Sequence, residues 1–382
     1  MPLITTSGSV IHRLFGYLDG VHGSSFRVLK IYLASLAVTF LPLVLSALFS
    51  PFSLVTPTAT HRLPFLCDWN VLFMFLVSFP CLMILTVTDQ DELVRALETV
   101  QADGTITISD IQKYQLTTRW QTNFHVANVV GQLLGLVVGS VVAYLNYLAY
   151  APASVGFWIA NNDHLLPAGV VFLFCIFLFY TLVPIYIIRN VAVSLLFRDI
   201  VAHSQLHMLP LHPDKSGGLR PVGRLGLRNQ YALSLLGINV VLLVTVSILY
   251  LDIPAPLNTL MIVAVLAYLI LGPAVFVAPL LPFRGGMLRS KSQLLGEVAQ
   301  RIRRELERLR TQLPSGPILK EDEELIERLR KIGAVIEELP VWPFDATTLR
   351  KFLAAYAIPI LSSAGYPAAK MAFDVTKSYL SI

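Results

Sequence analysis

Between Arg119 and Asp163 the chain carries no Asp, Glu, Lys or Arg. Few folds can house so long an uncharged stretch. Gln121–Tyr150 reads as a helix crossing the hydrocarbon core of a bilayer, which takes about 20 apolar residues. The run is not uniformly apolar. His125, Asn128, Gln132, Gly135, Gly139, Asn146 and Tyr150 recur at helical spacing and fall within roughly 80° of arc on a 3.6-residue helix. Polar groups at bilayer depth are costly unless they face protein or water. This face is therefore expected to turn inward, toward other helices or along an aqueous path. Gly135-x-x-x-Gly139 invites close approach of a neighbouring backbone, which favours packing. The imidazole and amides would suit a path, and the sequence leaves both readings open.

Further apolar runs accompany Phe124–Tyr150, at Tyr32–Ser50, Phe65–Thr86, Leu165–Ile188, Tyr231–Tyr250 and Leu257–Leu281. Backbone groups in lipid must be satisfied within their own segment, so each run is expected to be helical. The fold class that follows is all-α, a polytopic membrane bundle of about six spans with a cytoplasmic helical hairpin. Only 14% of the residues are charged, against about 25% in soluble domains. Of the 29 Lys and Arg residues, all but Arg62 fall on one side if the N-terminus is cytoplasmic. The positive-inside rule then places both termini in the cytoplasm and the bundle in a cell (inner) membrane. That topology accounts for the pI of about 9.1 without nucleic acid as a partner. The expected partner is the lipid bilayer. Cys67, Cys81 and Cys175 lie in or beside apolar runs at no metal-ligand spacing and read as small buried hydrophobes.

The chain divides into 1–283, the bundle with cytoplasmic loops 89–121 and 189–228; 284–340, a cytoplasmic helical hairpin; and 341–382, interfacial or bundle-packed helices. Gly8–Asp19 reads as a weak amphipathic anchor. Pro80 marks a kink in the second span, and Asp68 lies at its outer end, where head groups and water would solvate it. In the fifth span Gln230, Ser234, Gly237 and Thr245 form a polar side that would face the third span. Gly272, Pro273, Pro279 and Pro282 predict a broken end to the sixth. In the hairpin, Leu295, Val298, Ile302, Leu306 and Leu309 repeat at three and four, and Leu325, Leu329, Ile332 and Ile336 answer them. Such apolar faces need cover, so a homo-oligomer is expected.

The loop after the fourth span concentrates polar chemistry. His203 and His207 share a face if helical, and His212 and Asp214 follow, so these four could ligate zinc or another divalent metal. No other cofactor is indicated. Within Leu211-His212-Pro213-Asp214-Lys215-Ser216-Gly217-Gly218-Leu219, Pro213 fixes one φ, Asp214 can cap a turn, and Gly217 and Gly218 permit positive φ. Arg220, Arg224 and Arg228 then form a basic stripe suited to anionic lipid head groups. This motif, with Pro340-Val341-Trp342-Pro343-Phe344-Asp345, resembles bacterial multi-pass membrane proteins that carry a His-Pro-Asp-x-x-Gly-Gly-Leu loop and a Trp-Pro-Phe-Asp stretch near the C-terminus. The resemblance implies a bacterial envelope protein and no particular activity.

Catalytic motifs are missing from the sequence: no nucleophile elbow, phosphate loop or metalloprotease signature. The chain is therefore not expected to be an enzyme. Asp68 apart, the apolar runs hold no carboxylate of the kind that proton or sodium coupling uses. A passive homo-oligomeric channel with a neutral polar seam and a basic mouth, suited to anions, is the leading reading. A membrane-anchored sensor or scaffold working through the hairpin and histidine loop is the alternative, and a neutral-solute transporter the third.

Overall fold

The computed structural model describes residues 24–49, 54–55, 61–150, 156–161, 164–208, 212–250, 255–312 and 320–359. The amphipathic stretch Gly8–Asp19 lies outside them. Six helices are long and apolar enough to cross a membrane: Phe26–Leu48, Trp69–Ala102, Asp110–Tyr150, Pro167–His203, Arg220–Val246 and Val265–Thr311. They are called the first to sixth spans below. Three short strand pairs tie their loops. His61 and Leu63 pair with Gly156 and Phe157 at one end of the bundle, Ala160 and Asn161 with Leu165 and His164 beside them. Ile106 and Thr107 pair with Leu206 and Gln205 at the other. The second end carries the Arg-rich loops and is called the charged end; the first is the neutral end.

Prolines interrupt the spans, and each leaves a carbonyl without its amide four residues on. In the second span, Pro80 frees the carbonyl of Leu76. The chain there forms a π-helical turn over Met74–Ser78, and the Tyr32 hydroxyl of the first span donates to Leu76 O at 3.0 Å. In the sixth span, Pro273 frees Leu269 O, which accepts from the Tyr356 hydroxyl at 3.1 Å. In the helix over 346–359, Pro359 frees Ala355 O, which lies 2.8 Å from the Ser234 hydroxyl of the fifth span. Each of these three carbonyls has a hydroxyl from another helix within hydrogen-bond distance. In a medium without water this cross-bonding substitutes for solvation.

The third and fourth spans pack most intimately, through glycine. A Cβ on Gly135 would stand 2.4 Å from the Thr181 carbonyl oxygen, and one on Gly139 2.7 Å from that of Phe177. Gly131, one turn earlier, places the same face 3.1 Å from the Ile185 Cα. The glycine face is therefore a helix–helix contact. The fifth span packs on the second and sixth spans, so the expected facing of third and fifth spans does not occur.

The sixth span does not end where the apolar run ends. After a 3-10 turn at Ala278–Leu280 the helix Leu281–Gln312 continues it, so one rod runs from bundle to hairpin. The helix over 346–359 returns to the bundle. Tyr268 and Tyr356 stack with centroids 5.7 Å apart, and Phe276 stacks on Phe352 at 4.2 Å. Apolar cores lie at both ends. Phe65, Trp158 and Phe172 meet edge-on at 4.9 and 5.6 Å at the neutral end. Trp120, Phe197, Phe276 and Phe283 are buried together at the charged end.

Two substitutions test these contacts. Tyr356→Phe should destabilise the protein in detergent by about 1 kcal/mol, and much less in a Pro273→Ala background, where Leu269 O regains its own amide. Thermal unfolding of the double-mutant cycle measures that coupling. Gly135→Ala should cost about 1–3 kcal/mol by overpacking against backbone. Gly296→Ala, where an added Cβ meets nothing within 4 Å, should stabilise by about 0.5–1 kcal/mol.

Candidate functional site

The second span extends past its apolar run to Ala102, and the fourth continues to His203. Residues that the sequence places at the start of loops are therefore inside the bundle. Arg189 is 3% exposed and Asp89 9%. Arg189 donates from Nε to Asn128 Oδ1 at 2.8 Å and from Nη1 to Thr86 O at 2.9 Å. Its guanidinium lies 5.3 Å from the centroid of the Phe124 ring. One side chain thus joins the second, third and fourth spans. Arg228 of the fifth span donates to Leu85 O at 3.2 Å and to Thr88 Oγ1. Both guanidinium groups bond neutral oxygens, and Asp89 lies within electrostatic reach of both. With Glu92, also in reach of Asp89, paired to Arg95, this cluster holds two guanidiniums against the one carboxylate of Asp89. The Tyr186 hydroxyl donates to Asn229 Oδ1 at 2.8 Å beside them.

Polar groups recur farther along the same two helices. Ser78 lies eleven positions from Asp89, and Asn239 eleven from Arg228. Eleven residues are about three turns, so each pair shares a helix face. The partners meet across the interface: Asn239 Nδ2 donates to Ser78 Oγ at 2.6 Å. Asn70 and Asp68 follow toward the neutral end, both buried. Asp68 is not solvated there as expected. It caps the helix through Val71 N at 3.2 Å and accepts from the Trp158 indole at 3.1 Å. Along this line Gln90 Oε1, Arg228 Nε, Asn239 Oδ1 and Asn70 Oδ1 are buried without a hydrogen-bond partner. Buried polar atoms are rarely left so. Apolar Leu82 and Met74 separate the nodes.

The seam expected on the third span is dispersed. Asn128 serves Arg189, and Asn146 donates to its own Val142 O at 2.8 Å. Gly135 and Gly139 lie under the fourth span, Gln132 is half-buried and His125 is exposed on the outer surface. Gln230 and Ser234 turn toward the helix over 346–359, not toward the third span. Asp89, Arg189, Ser78, Asn239 and Gly131 were missed. The signal for the first two was available: each is the first charge after an apolar run, at matching helix ends.

The metal reading fails on placement. Among the described residues no group of three or more His, Cys, Asp or Glu side chains converges. His203 Nδ1 bonds Asp199 O of its own helix at 2.8 Å, and His212 pairs with Asp214 at 2.7 Å. His207 uses its amide to bond Thr105 O at 2.8 Å. His203 instead lines a cleft of about 550 Å³ with Gln101, Ser109 and Gln112.

The loop motif is a self-contained cap. Asp214 accepts from the amides of Ser216 at 2.9 Å, Gly218 at 3.1 Å and Arg220 at 3.2 Å. The Gly218 amide is therefore occupied by the chain's own carboxylate. Gly217 and Gly218 hold φ of 65° and 89°. A Cβ on Gly218 would also sit 2.1 Å from Thr105 Oγ1. The second motif docks on this loop: Arg220 reaches Asp345 at 3.7 Å, and Gly223 admits the Pro343 carbonyl. Arg284 covers the Trp342 ring at 4.7 Å. The basic stripe is thereby split, with Arg220 on Asp345, Arg228 inside the bundle and only Arg224 exposed.

Compared with family models, with curated proteins and with solved structures, the chain matches none. Its fold nevertheless defines its class. It is an all-α, multi-pass integral membrane protein whose second, fourth and fifth spans bury charge.

Burial opposes ionisation of Asp214, but the Ser216 and Gly218 amides and the His212 ring outweigh it and hold the carboxyl below the usual carboxylate range. A depressed folded-state pKa contributes stability that is complete above the unfolded value of about 4 and is lost as pH falls through the folded one. Thermal unfolding of the wild type should therefore lose stability below about pH 4 relative to Asp214→Asn, whose deficit at pH 7 should be about 1–2 kcal/mol.

Proposed function

We propose that this protein is a passive channel for small anions, with its route between the second and fifth spans of one chain. One observation supports this most: the row of polar groups, from buried Asp89 and Gln90 and half-buried Arg228 through Ser78 and Asn239 to Asn70, with amide oxygens left unpaired. Ionisable and amide groups inside a bundle are expensive and characteristically mark a solute path. The excess positive charge at the charged end favours anions, and apolar layers between nodes suit gating by dewetting. The π turn at Met74–Ser78 fits a mobile segment, since such turns concentrate at functional sites. In this reading the charged end faces the cytoplasm of a bacterial inner membrane, as positive-inside asymmetry requires. Exposed Arg224 then meets anionic head groups. The reading needs no cofactor and no catalysis.

A second reading rests on the helical connection, through the 3-10 turn at Ala278–Leu280, from the sixth span into the hairpin. A rigid link from membrane to cytoplasm suits a sensor or scaffold that signals through the hairpin.

Flux from proteoliposomes separates the two. The wild type should dissipate a chloride gradient. Asn239→Leu with Ser78→Ala should reduce that flux about tenfold, the effect of ~1.4 kcal/mol on a barrier. Arg228→Gln should erode the preference for anions over cations. Liposomes tight to both would leave the sensor reading standing.

A further inference from the structure

The hairpin of Leu281–Gln312 and Lys320–Glu337 has a fixed register. Arg308 pairs with Asp322, a Cβ on Gly333 would lie 3.9 Å from Val298, and Lys291 Nζ donates to Leu339 O at 3.2 Å. Each step down one helix is matched by a step up the other. Leu309 and Ile336 are buried between them. Two helices cover only one side of each other, however. Leu306 and Ile332 each remain 49% exposed, and a groove of about 410 Å³ runs along Ala299, Ile302, Arg303, Leu306, Glu307 and Arg310.

Glu305 and Glu307 of the first helix are taken up by its own Arg308 and Arg303, and the charge that remains along the hairpin is segregated. The outer half of the first helix carries Arg301, Arg303, Arg304, Arg308 and Arg310, and the second opens with Glu321, Asp322, Glu323 and Glu324. Arg308 with Asp322 spends one charge of each sign within the chain. Among the described residues, Arg301, Arg310, Glu321 and Glu323 form no ion pair. The register sets Arg310 level with Glu321, and Ala299 level with Ile332.

We propose that a second copy of this chain occupies the groove. Copies inserted in one membrane share a direction, so a two-fold axis relating them runs along the rods. Around such an axis the first helix of one hairpin meets the second helix of the other, antiparallel, and an antiparallel four-helix bundle results. Levels are conserved across the pair. Arg310 of each copy faces Glu321 of the other, and Ile332 of the second copy seats over the small Ala299. The basic half of one helix lies along the acidic half of its neighbour, and Leu306 closes the centre. This association does not depend on conduction through the spans.

The test uses the full-length protein in detergent, with mass by light scattering across a concentration series. The wild type should run as a dimer whose dissociation is promoted by salt. Leu306→Asp should shift the dimer dissociation constant upward at least tenfold with unchanged circular dichroism. Arg310→Glu and Glu321→Arg should each weaken the dimer, and the double variant should recover it. A monomeric wild type would overturn the proposal, as would a dimer indifferent to Leu306→Asp or a double variant no better than its parents.

Discussion

Hydrocarbon offers a backbone carbonyl nothing, and this bundle is built around that fact. A proline in a soluble helix can leave its orphaned carbonyl to water. Here Leu76 O, Leu269 O and Ala355 O are each reached by a hydroxyl from a different helix. Every such bond fixes a neighbour in register, so the prolines that loosen single helices stitch the bundle together. Tyr356 on Leu269 O and Ser234 beside Ala355 O, with the Tyr268 hydroxyl on Tyr356 O, give the helix over 346–359 directional contacts in addition to apolar ones. Apolar contact discriminates poorly in lipid, where the acyl chains compete for the same surfaces.

Much of this was legible in the sequence. Apolar runs bounded by charge gave six spans because the cost of burying Lys, Arg, Asp or Glu in lipid overwhelms local propensity. Gly135 and Gly139 read correctly as a point of close approach, because a missing Cβ has one dominant use between helices. What could not be read was the partner. The polar arc of the third span was wide enough to include His125 and Gln132 on its flank, while the buried stripe runs through Gly131 and Asn128. A helical wheel orders the residues of one helix and says nothing about which neighbour arrives. Asp89 and Arg189 were misplaced for a different reason. An apolar run ends at its first charge, but a helix ends where its hydrogen bonds stop, and both helices continue well beyond.

The two motifs behind the resemblance to bacterial membrane proteins find a common explanation in packing. Asp214 gathers three amides, Gly218 yields space to Thr105, and Gly223 yields space to the Pro343 carbonyl. Asp345 caps the returning helix through Thr348 N at 2.9 Å and meets Arg220. Residue types that looked like ligand chemistry are consumed in joining three loops into one platform. The histidines follow the same pattern, since the His203 and His212 rings bond locally and the described His, Cys, Asp and Glu side chains form no group of three or more.

That leaves the charge on the second, fourth and fifth spans, toward the charged end of the bundle, as the chemistry the fold does not use up. A buried ion pair is weak support for stability, because desolvation offsets most of the attraction. Arg189 and Arg228 do not even close on Asp89 as direct partners; they bond carbonyl, amide and hydroxyl oxygens. Apolar residues of similar volume would hold the same helices together at lower cost. Packing therefore does not account for two guanidiniums, a carboxylate and unpaired amide oxygens in line with Ser78 and Asn239, and that unexplained cost is what supports the channel proposal. These groups are spread over the second, fourth and fifth spans, with Asn128 of the third bonded to Arg189, and the polar row continues where the second and fifth spans meet at Ser78 and Asn239.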